Sequence, residues 1–136
     1  MPDELNEAVE TVETYLAAME ARDLDGARAC VSEGDLDLTF PGGRHFTRID
    51  EIVANSSGRY AAIGKTIERR SAWSENAGTH VLFAGTLFGR WPDGTPFDGI
   101  RFIDLFELKD GLIVRQEVWN DAGERLLAGQ KQETPR

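Results

Sequence analysis

The chain has 136 residues and a formal net charge of −9 at pH 7, with a sequence pI near 4.7. This length predicts one domain, over residues 1–128, followed by a disordered tail over residues 129–136. Because phosphate backbones and anionic lipids repel an acidic protein, the charge argues against nucleic acid or an anionic membrane surface as the main partner. The single cysteine and an acidic N-terminus unlike a signal peptide predict a cytoplasmic protein.

The front half of the chain has helical periodicity. From Asp3 to about Ala21, apolar residues recur at helical spacing; they are Leu5, Val9, Val12, Leu16 and Met19. A second helix is predicted in "DLDGARACV" and a short strand in "DLDLTF", where apolar and polar residues alternate. After the "PGG" turn, a third helix is predicted from a cap at Thr47 to a stop at Gly64, with Tyr60 as the last residue of its apolar stripe.

The back half changes to a period of two. Four strands are predicted, at Lys65–Ser74, Thr79–Gly89, Thr95–Leu108 and Leu112–Asn120, joined by the turns "ENAG", "PDG" and "KDG". The sequence therefore predicts an α+β fold in which three N-terminal helices pack on a strongly curved, mainly antiparallel sheet. Such a sheet encloses a conical pocket, the usual place for a small ligand.

The strands carry apolar residues on both faces. In the second of them, Val81, Phe83 and Leu87 occupy one phase, and Leu82, Ala84 and Phe88 occupy the other. An outer sheet face that is apolar needs cover, so we expect a homodimer formed through that face.

An aspartate lies in the most apolar part of the third strand, "GIRFIDLFEL". Burying the carboxylate of Asp104 is costly unless it is hydrogen-bonded, protonated or facing a cavity. A backbone N–H, Tyr15, Arg101 or Arg115 are the candidate partners. The pattern leaves these alternatives open.

The order of elements resembles the nuclear transport factor 2-like superfamily and, within it, SnoaL-like proteins. The resemblance covers nearly the whole chain, and its specific pieces are "YLAAMEARDLDGA", "FIDLFELKDGLIV" and the closing "WND". It implies the cone-shaped α+β fold predicted above. It identifies function only as a class, because isomerases, epoxide hydrolases, polyketide cyclases, dehydratases and non-enzymatic binders share this scaffold.

The resemblance to ketosteroid isomerases assigns Tyr15 and Asp104 to an oxyanion hole. There a tyrosine on the first helix acts with an aspartic acid held neutral by an apolar site. The hydroxyl of Tyr15 can point inward from the edge of the buried helix stripe, and we favour a neutral, donating Asp104. The general base of that enzyme would fall near Leu38 or Thr39, and neither can accept a proton at neutral pH. The sequence therefore does not support ketosteroid isomerase activity.

Two other catalytic patterns of the superfamily are also missing. Limonene epoxide hydrolases need an Arg-x-Asp pair and a further Asp, and the matching positions here are Ala84, Thr86 and Val118. The acid/base of SnoaL-type cyclases would also fall at about Val118. The terminal Asp121 is interpreted as structural.

Proton transfer is left to the two histidines. His80 shares a phase with Thr86, on the face that the resemblance assigns to the pocket, and His45 lies near the expected cavity mouth. A strand-end His80 near solvent and an exposed loop His45 are the structural alternatives. The candidate ligand contacts are Phe40, Tyr60, Thr86, Phe102, Gln116, Val118 and Asn120. No residue spacing fits a metal site, and no nucleotide fingerprint is present, so we expect no metal and no cofactor.

Two hypotheses for function follow. The first is a cofactor-independent isomerase, dehydratase or cyclase acting on a small hydrophobic carbonyl or hydroxyl compound, with Tyr15 and Asp104 stabilising an oxyanion and His80 or His45 moving the proton. The second is a non-catalytic binder that uses the same polar pair to orient its ligand. A dimerisation module with a vestigial cavity is a third alternative.

Overall fold

The computed structural model describes residues 3–34 and 36–133. Its helices are α1 (Asp3–Glu20), α2 (Leu24–Arg28), α3 (Ile49–Arg59) and α4 (Ala122–Glu133). Its strands are β1 (Asp37–Phe40), β2 (Arg44–Phe46), β3 (Ala62–Glu75), β4 (Gly78–Arg90), β5 (Pro96–Lys109) and β6 (Leu112–Asn120). The predicted α+β fold is confirmed. Within the described ranges, no helix is both long and apolar enough to span a membrane.

The six strands form one mixed sheet in the order β2-β1-β6-β5-β4-β3. β3 to β6 are the predicted antiparallel meander, and β1 adds to β6 in parallel. The short β2, which the sequence did not predict, pairs with β1 directly after the "PGG" turn. The two edges of the sheet are therefore β2 and β3.

The core lies between α1 and the concave face of the sheet. Val12 and Tyr15 on α1 are buried, as the helical spacing predicts, and they belong to one cluster with Phe83 and Phe106. The ring of Tyr15 meets that of Phe106 edge to face at a centroid distance of 6.0 Å. Burial of this stripe positions the inner face of α1 against the strands that carry the polar residues of the site.

The face of β4 that points to the core is the opposite of the expected one. Val81 and Phe83 have no exposed surface, whereas Phe88 is 45% exposed. The even-numbered residues, among them His80 and Thr86, therefore lie on the outer face. Because apolar residues occupy both phases of this strand, its pattern does not define the buried face, and the resemblance placed the register one residue off.

The C-terminal segment is also corrected. Residues 129–133 belong to α4 and are helical, contrary to the predicted disordered tail, and residues 134–136 lie outside the described residues. The helix begins where the side-chain carbonyl of Asn120 accepts a hydrogen bond from the N–H of buried Ala122, at 3.1 Å. Arg101 donates from Nε to Asp121, which supports a structural role for that aspartate.

Substitution of Gly85 tests the packing of β4 against β3. The register between β3 and β4 shifts between Ile67 and Arg69, and at this irregularity a Cβ on Gly85 would overlap the carbonyl oxygen of Thr66. We expect Gly85→Ala to lower the free energy of unfolding by at least about 2 kcal/mol, because the strand backbones must separate. Gly58→Ala is the matched control; it meets no neighbouring atom in α3 and should raise stability by about 0.5–1 kcal/mol. Urea unfolding measures both, and a Gly85→Ala protein as stable as the parent would contradict this packing.

Candidate active site

A cavity of about 130 Å³ lies between the helices and the concave face of the sheet. Its apolar wall includes Leu16 and Met19 of α1 and Ile52 of α3. Arg44 at the start of β2 and Lys65 of β3 also line it, although these strands are the opposite edges of the sheet. Side chains from both edges reach one cavity only because the sheet is strongly curved.

Most of the predicted ligand contacts line this cavity. They are Phe40, Tyr60, Phe102, Gln116, Val118 and Asn120. Thr86 does not, since it lies on the outer face of β4, in a groove shared with Ile103 and Trp119. Whether the lining residues bind a ligand stays a prediction.

Tyr15 is one of the polar groups that α1 contributes to the cavity. It is 1% exposed, and its hydroxyl donates a hydrogen bond to Oε1 of Gln116 on β6 at 3.3 Å. Burial raises the pKa of Tyr15 above its usual value, and the negative charges of Asp104 and then of Cys30 raise it further. The phenol is therefore a neutral hydrogen-bond donor throughout the physiological range.

Asp104 forms a buried ion pair. Nζ of Lys65 lies 2.6 Å from Oδ2 of Asp104, whose side chain is 0% exposed, whereas the Lys65 side chain is 24% exposed. Lys65 is on β3 and Asp104 on β5, so the lysine reaches across β4. The ammonium also lies 5.1 Å from the centroid of the Phe102 ring, a cation–π contact.

The ion pair corrects the expected state of Asp104. An ammonium at hydrogen-bond distance makes Oδ2 an acceptor, so the carboxylate is ionised rather than a neutral donor. Neither Arg101 nor Arg115, the basic partners considered from the sequence, supplies that charge: they pair with Asp121 and with Asp37 and Glu117. The remaining oxygen, Oδ1, is buried and accepts no hydrogen bond from the described residues.

The two described histidines do not line the cavity. Nε2 of His45 lies 3.0 Å from Oδ1 of Asp37, and both side chains are about half exposed. His80 stacks on Trp73 with the ring centroids 5.5 Å apart and the planes 10° from parallel. The structure therefore does not bring either ring to Tyr15 or Asp104.

Sequence reasoning missed the charged residues that line the cavity. Lys65 shares a strand phase with Ile63 and Ile67, and a lysine in an apolar phase could have been noticed as Asp104 was. Glu20 ends α1, and its Oε1 would lie 2.8 Å from a Cβ added at Gly64, the residue before Lys65. Its position between the first two helices gives no sequence signal for a cavity.

The ionisation of Tyr15 is open to direct measurement. Since the fold raises its pKa above the unfolded value of about 10, its contribution to stability is complete below that pH and is lost as the pH rises toward the folded pKa. The chain has two tyrosines, so Tyr60→Phe leaves Tyr15 as the only phenol. We expect phenolate absorbance in this variant to appear only together with unfolding, followed by circular dichroism. The Tyr15→Phe protein should unfold at a higher pH than the parent. A phenolate signal near pH 10 from the Tyr60→Phe protein while it is still folded would contradict the raised pKa of Tyr15.

Comparison with known proteins identifies the fold and the family. A nuclear transport factor 2-like protein of unknown function from Burkholderia pseudomallei is 20% identical with a TM-score of 0.75, over 89% of this chain and 95% of that one. A protein described as a SnoaL-like polyketide cyclase from Jannaschia is 20% identical with a TM-score of 0.74, over 96% and 93%.

An epoxide hydrolase from Mycobacterium tuberculosis that resembles the limonene enzyme is 22% identical with a TM-score of 0.70, over 93% of this chain and 86% of that one. No protein with a curated description matches the chain significantly. The profile of the SnoaL-like domain matches residues 12–116. The chain therefore belongs to the SnoaL-like domain family.

Proposed function

We propose that the protein is a cofactor-independent enzyme of the isomerase, dehydratase or cyclase type. Its substrate is a small hydrophobic carbonyl or hydroxyl compound that enters the cavity. The observation that carries the proposal is the Lys65 ammonium, held by the fully buried Asp104 at a cavity that Tyr15 also lines. Burying a carboxylate and pairing it with an ammonium at a cavity is expensive, so the pair is a candidate functional group.

Lys65 serves as the first donor to the substrate oxygen, and Tyr15 becomes the second when its single O–H turns from Gln116 to the ligand. Asp104 occupies one side of the ammonium, which has three N–H groups, so the others are free to meet a ligand from the cavity side. A carbonyl oxygen that gains negative charge during proton removal is stabilised by these donors, and the low dielectric of the cavity strengthens the effect. Asp104 fixes the position of the ammonium without touching the substrate.

Glu20 is our candidate for the general base. It is the carboxylate among the described residues that line the cavity, and it lies beside the backbone that carries Lys65. The carboxylate takes a proton from the carbon next to the carbonyl, which leaves an enolate facing Lys65 and Tyr15. Return of the proton at another carbon completes an isomerisation. Loss of a β-hydroxyl group, which takes the proton from Glu20 and leaves as water, completes a dehydration. Attack of the enolate carbon on a second carbonyl, whose oxygen takes that proton, completes a cyclisation.

A non-catalytic binding protein is the second candidate. It is favoured by the location of His45 and His80, which interact with Asp37 and Trp73 rather than with the cavity. In that case Lys65, Tyr15 and Gln116 would orient a hydroxyl or carbonyl ligand without turnover. The SnoaL-like family supports a small-molecule pocket under either candidate.

Turnover of β,γ-unsaturated ketones and hydroxylated aromatic compounds separates the two candidates. If the protein is an enzyme, Lys65→Met should lower kcat by about 100-fold, because one preorganised donor to the oxyanion is lost. Glu20→Gln should lower kcat by at least about 100-fold through loss of the base. Absorbance of the conjugated product measures the rate.

Controls separate catalysis from folding. Lys109→Met removes a lysine that is 60% exposed and does not line the cavity, and it should leave kcat unchanged. Lys65→Met leaves the buried carboxylate of Asp104 without its counter-charge and can therefore destabilise the fold. The double variant Lys65→Met/Asp104→Asn removes both charges, and it shows whether activity is lost while the protein remains folded. Equal rates for the parent and Lys65→Met would refute the proposed role, and tight phenol binding without turnover would establish the binder.

We also propose a cytoplasmic homodimer that forms through the outer face of the sheet. Cys30 is buried and unpaired, in keeping with a reducing compartment. Ile103 and Trp119 are cross-strand partners on β5 and β6, and they are 42% and 50% exposed. Two adjacent large apolar side chains exposed on a sheet face favour association with a second copy.

Sedimentation velocity tests the homodimer. Trp119→Glu should convert a dimer to a monomer at micromolar concentration, because it buries a charge at the centre of the face. Leu127→Glu, on α4 and 53% exposed, is the matched control and should leave the dimer intact. A parent protein that sediments as a monomer would contradict the proposal.

A further inference from the structure

A second set of basic groups lines the cavity, apart from Lys65. Arg44, Arg59 and Arg22 are all lining residues, whereas Glu20 is the single acidic residue among the described lining residues. The chain as a whole has a formal charge of −9. A basic cavity in an acidic protein is therefore a local feature that its overall charge does not explain.

Arg44 has a buried nitrogen without a partner. Its Nε donates to the carbonyl of Pro41 at 3.0 Å, which anchors the guanidinium at the "PGG" turn. Its Nη1 is buried and finds no acceptor among the described residues. A buried N–H without an acceptor costs free energy, and this cost is greater for a charged group.

The positive charge of Arg59 makes a negatively charged ligand beside Arg44 more favourable. Burial lowers the pKa of Arg44, and the positive charge of Arg59 lowers it further, with a smaller opposing contribution from Tyr60. Two guanidinium groups that disfavour each other beside one cavity are both stabilised by one anion between them.

Arg22 is already engaged. Its two terminal nitrogens donate to the carbonyl of Met19 at 3.4 Å and to the hydroxyl of Ser56 at 3.2 Å, so it ties the end of α1 to α3. Arg44 is distinguished from Arg22 by a buried terminal nitrogen that has no acceptor among the described residues, and Arg59 is the nearby charge that supports it.

We propose that Arg44, supported by Arg59, binds the carboxylate of a ligand whose hydrophobic body fills the cavity. A carboxylate accepts two parallel hydrogen bonds from a guanidinium fork, which would satisfy Nη1. Arg44 belongs to β2 and Lys65 to β3, at opposite edges of the sheet, so the two sites contact different parts of one ligand. This inference rests on the proposed function and narrows its substrate class to hydrophobic carboxylic acids that also carry a carbonyl or hydroxyl group.

Binding of a matched pair of compounds tests the carboxylate site. We expect the parent protein to bind 2-naphthoate at least about tenfold more tightly than the neutral 2-naphthamide, measured by isothermal titration calorimetry. Arg44→Gln should abolish this preference and leave naphthamide binding within about twofold. Arg59→Gln, which retains the Nη1 donor, should reduce the preference by about threefold.

Arg28→Gln removes the same charge from an exposed Arg28–Asp25 pair and should leave the preference unchanged. Thermal unfolding checks that each variant is folded, and Arg59→Gln still tests the site if Arg44→Gln does not fold. Equal binding of the two compounds to the parent, or a preference that survives in folded Arg44→Gln, overturns the carboxylate site while the pocket function stands. If neither compound binds, the proposed small-molecule function fails as well.

Discussion

The ion pair between Lys65 and Asp104 is the interaction on which the inner face of this sheet depends. A carboxylate without exposed surface needs a compensating charge, and the lysine that supplies it stands two strands away. Removal of either partner would leave an uncompensated charge, at a cost of about 3–5 kcal/mol. Because the lysine reaches Asp104 only across β4, the pair also requires the curvature that forms the cavity. The fold and the chemistry of the site therefore depend on the same contact.

The carboxylate of Asp104 acts through its negative charge on Tyr15 of the neighbouring α1. Asp104 raises the pKa of Tyr15 in addition to the effect of burial, so the phenol on α1 remains a donor. That hydroxyl is bonded to Gln116 on β6. Groups from one helix and three strands are thus held in one polar cluster inside an apolar wall. Such preorganisation is what a site needs to stabilise charge that develops on a substrate.

The sequence predicted what depends on local pattern. The stripe of α1, the meander and the shared phase of Gln116 and Val118 on β6 follow from periodicity, and the structure agrees with them; that this phase faces the pocket was implied by the resemblance. The face of β4 did not follow, because Val81 and Leu82 are equally apolar and only packing distinguishes them. α4 was missed because its second half, in the polar "GQKQETPR", was interpreted as a disordered tail.

The partner of Asp104 could not be derived from periodicity, because it is a long-range contact. Lys65 lies 39 positions away in the chain, and the choice among Lys65, Arg101 and Arg115 depends on how far the sheet curls. The assignment of a neutral Asp104 followed from the apolar neighbours in its own strand, which were read correctly. The neighbours in that strand gave no information about Lys65, which belongs to another strand. A buried carboxylate in an apolar run therefore predicts a compensating group without identifying it.

The contrast between an acidic surface and a basic cavity bears on how the protein would select its ligand. A formal charge of −9 does not attract anions over long distances, and salt screens such forces within about 8–10 Å. Any preference for an anion must then arise at short range, from groups that have lost water. Arg44 meets that condition, since its Nη1 is buried, whereas the more exposed Arg59 retains contact with solvent. Selection by desolvated donors depends on fit more than on charge alone, as a small and mostly apolar cavity requires.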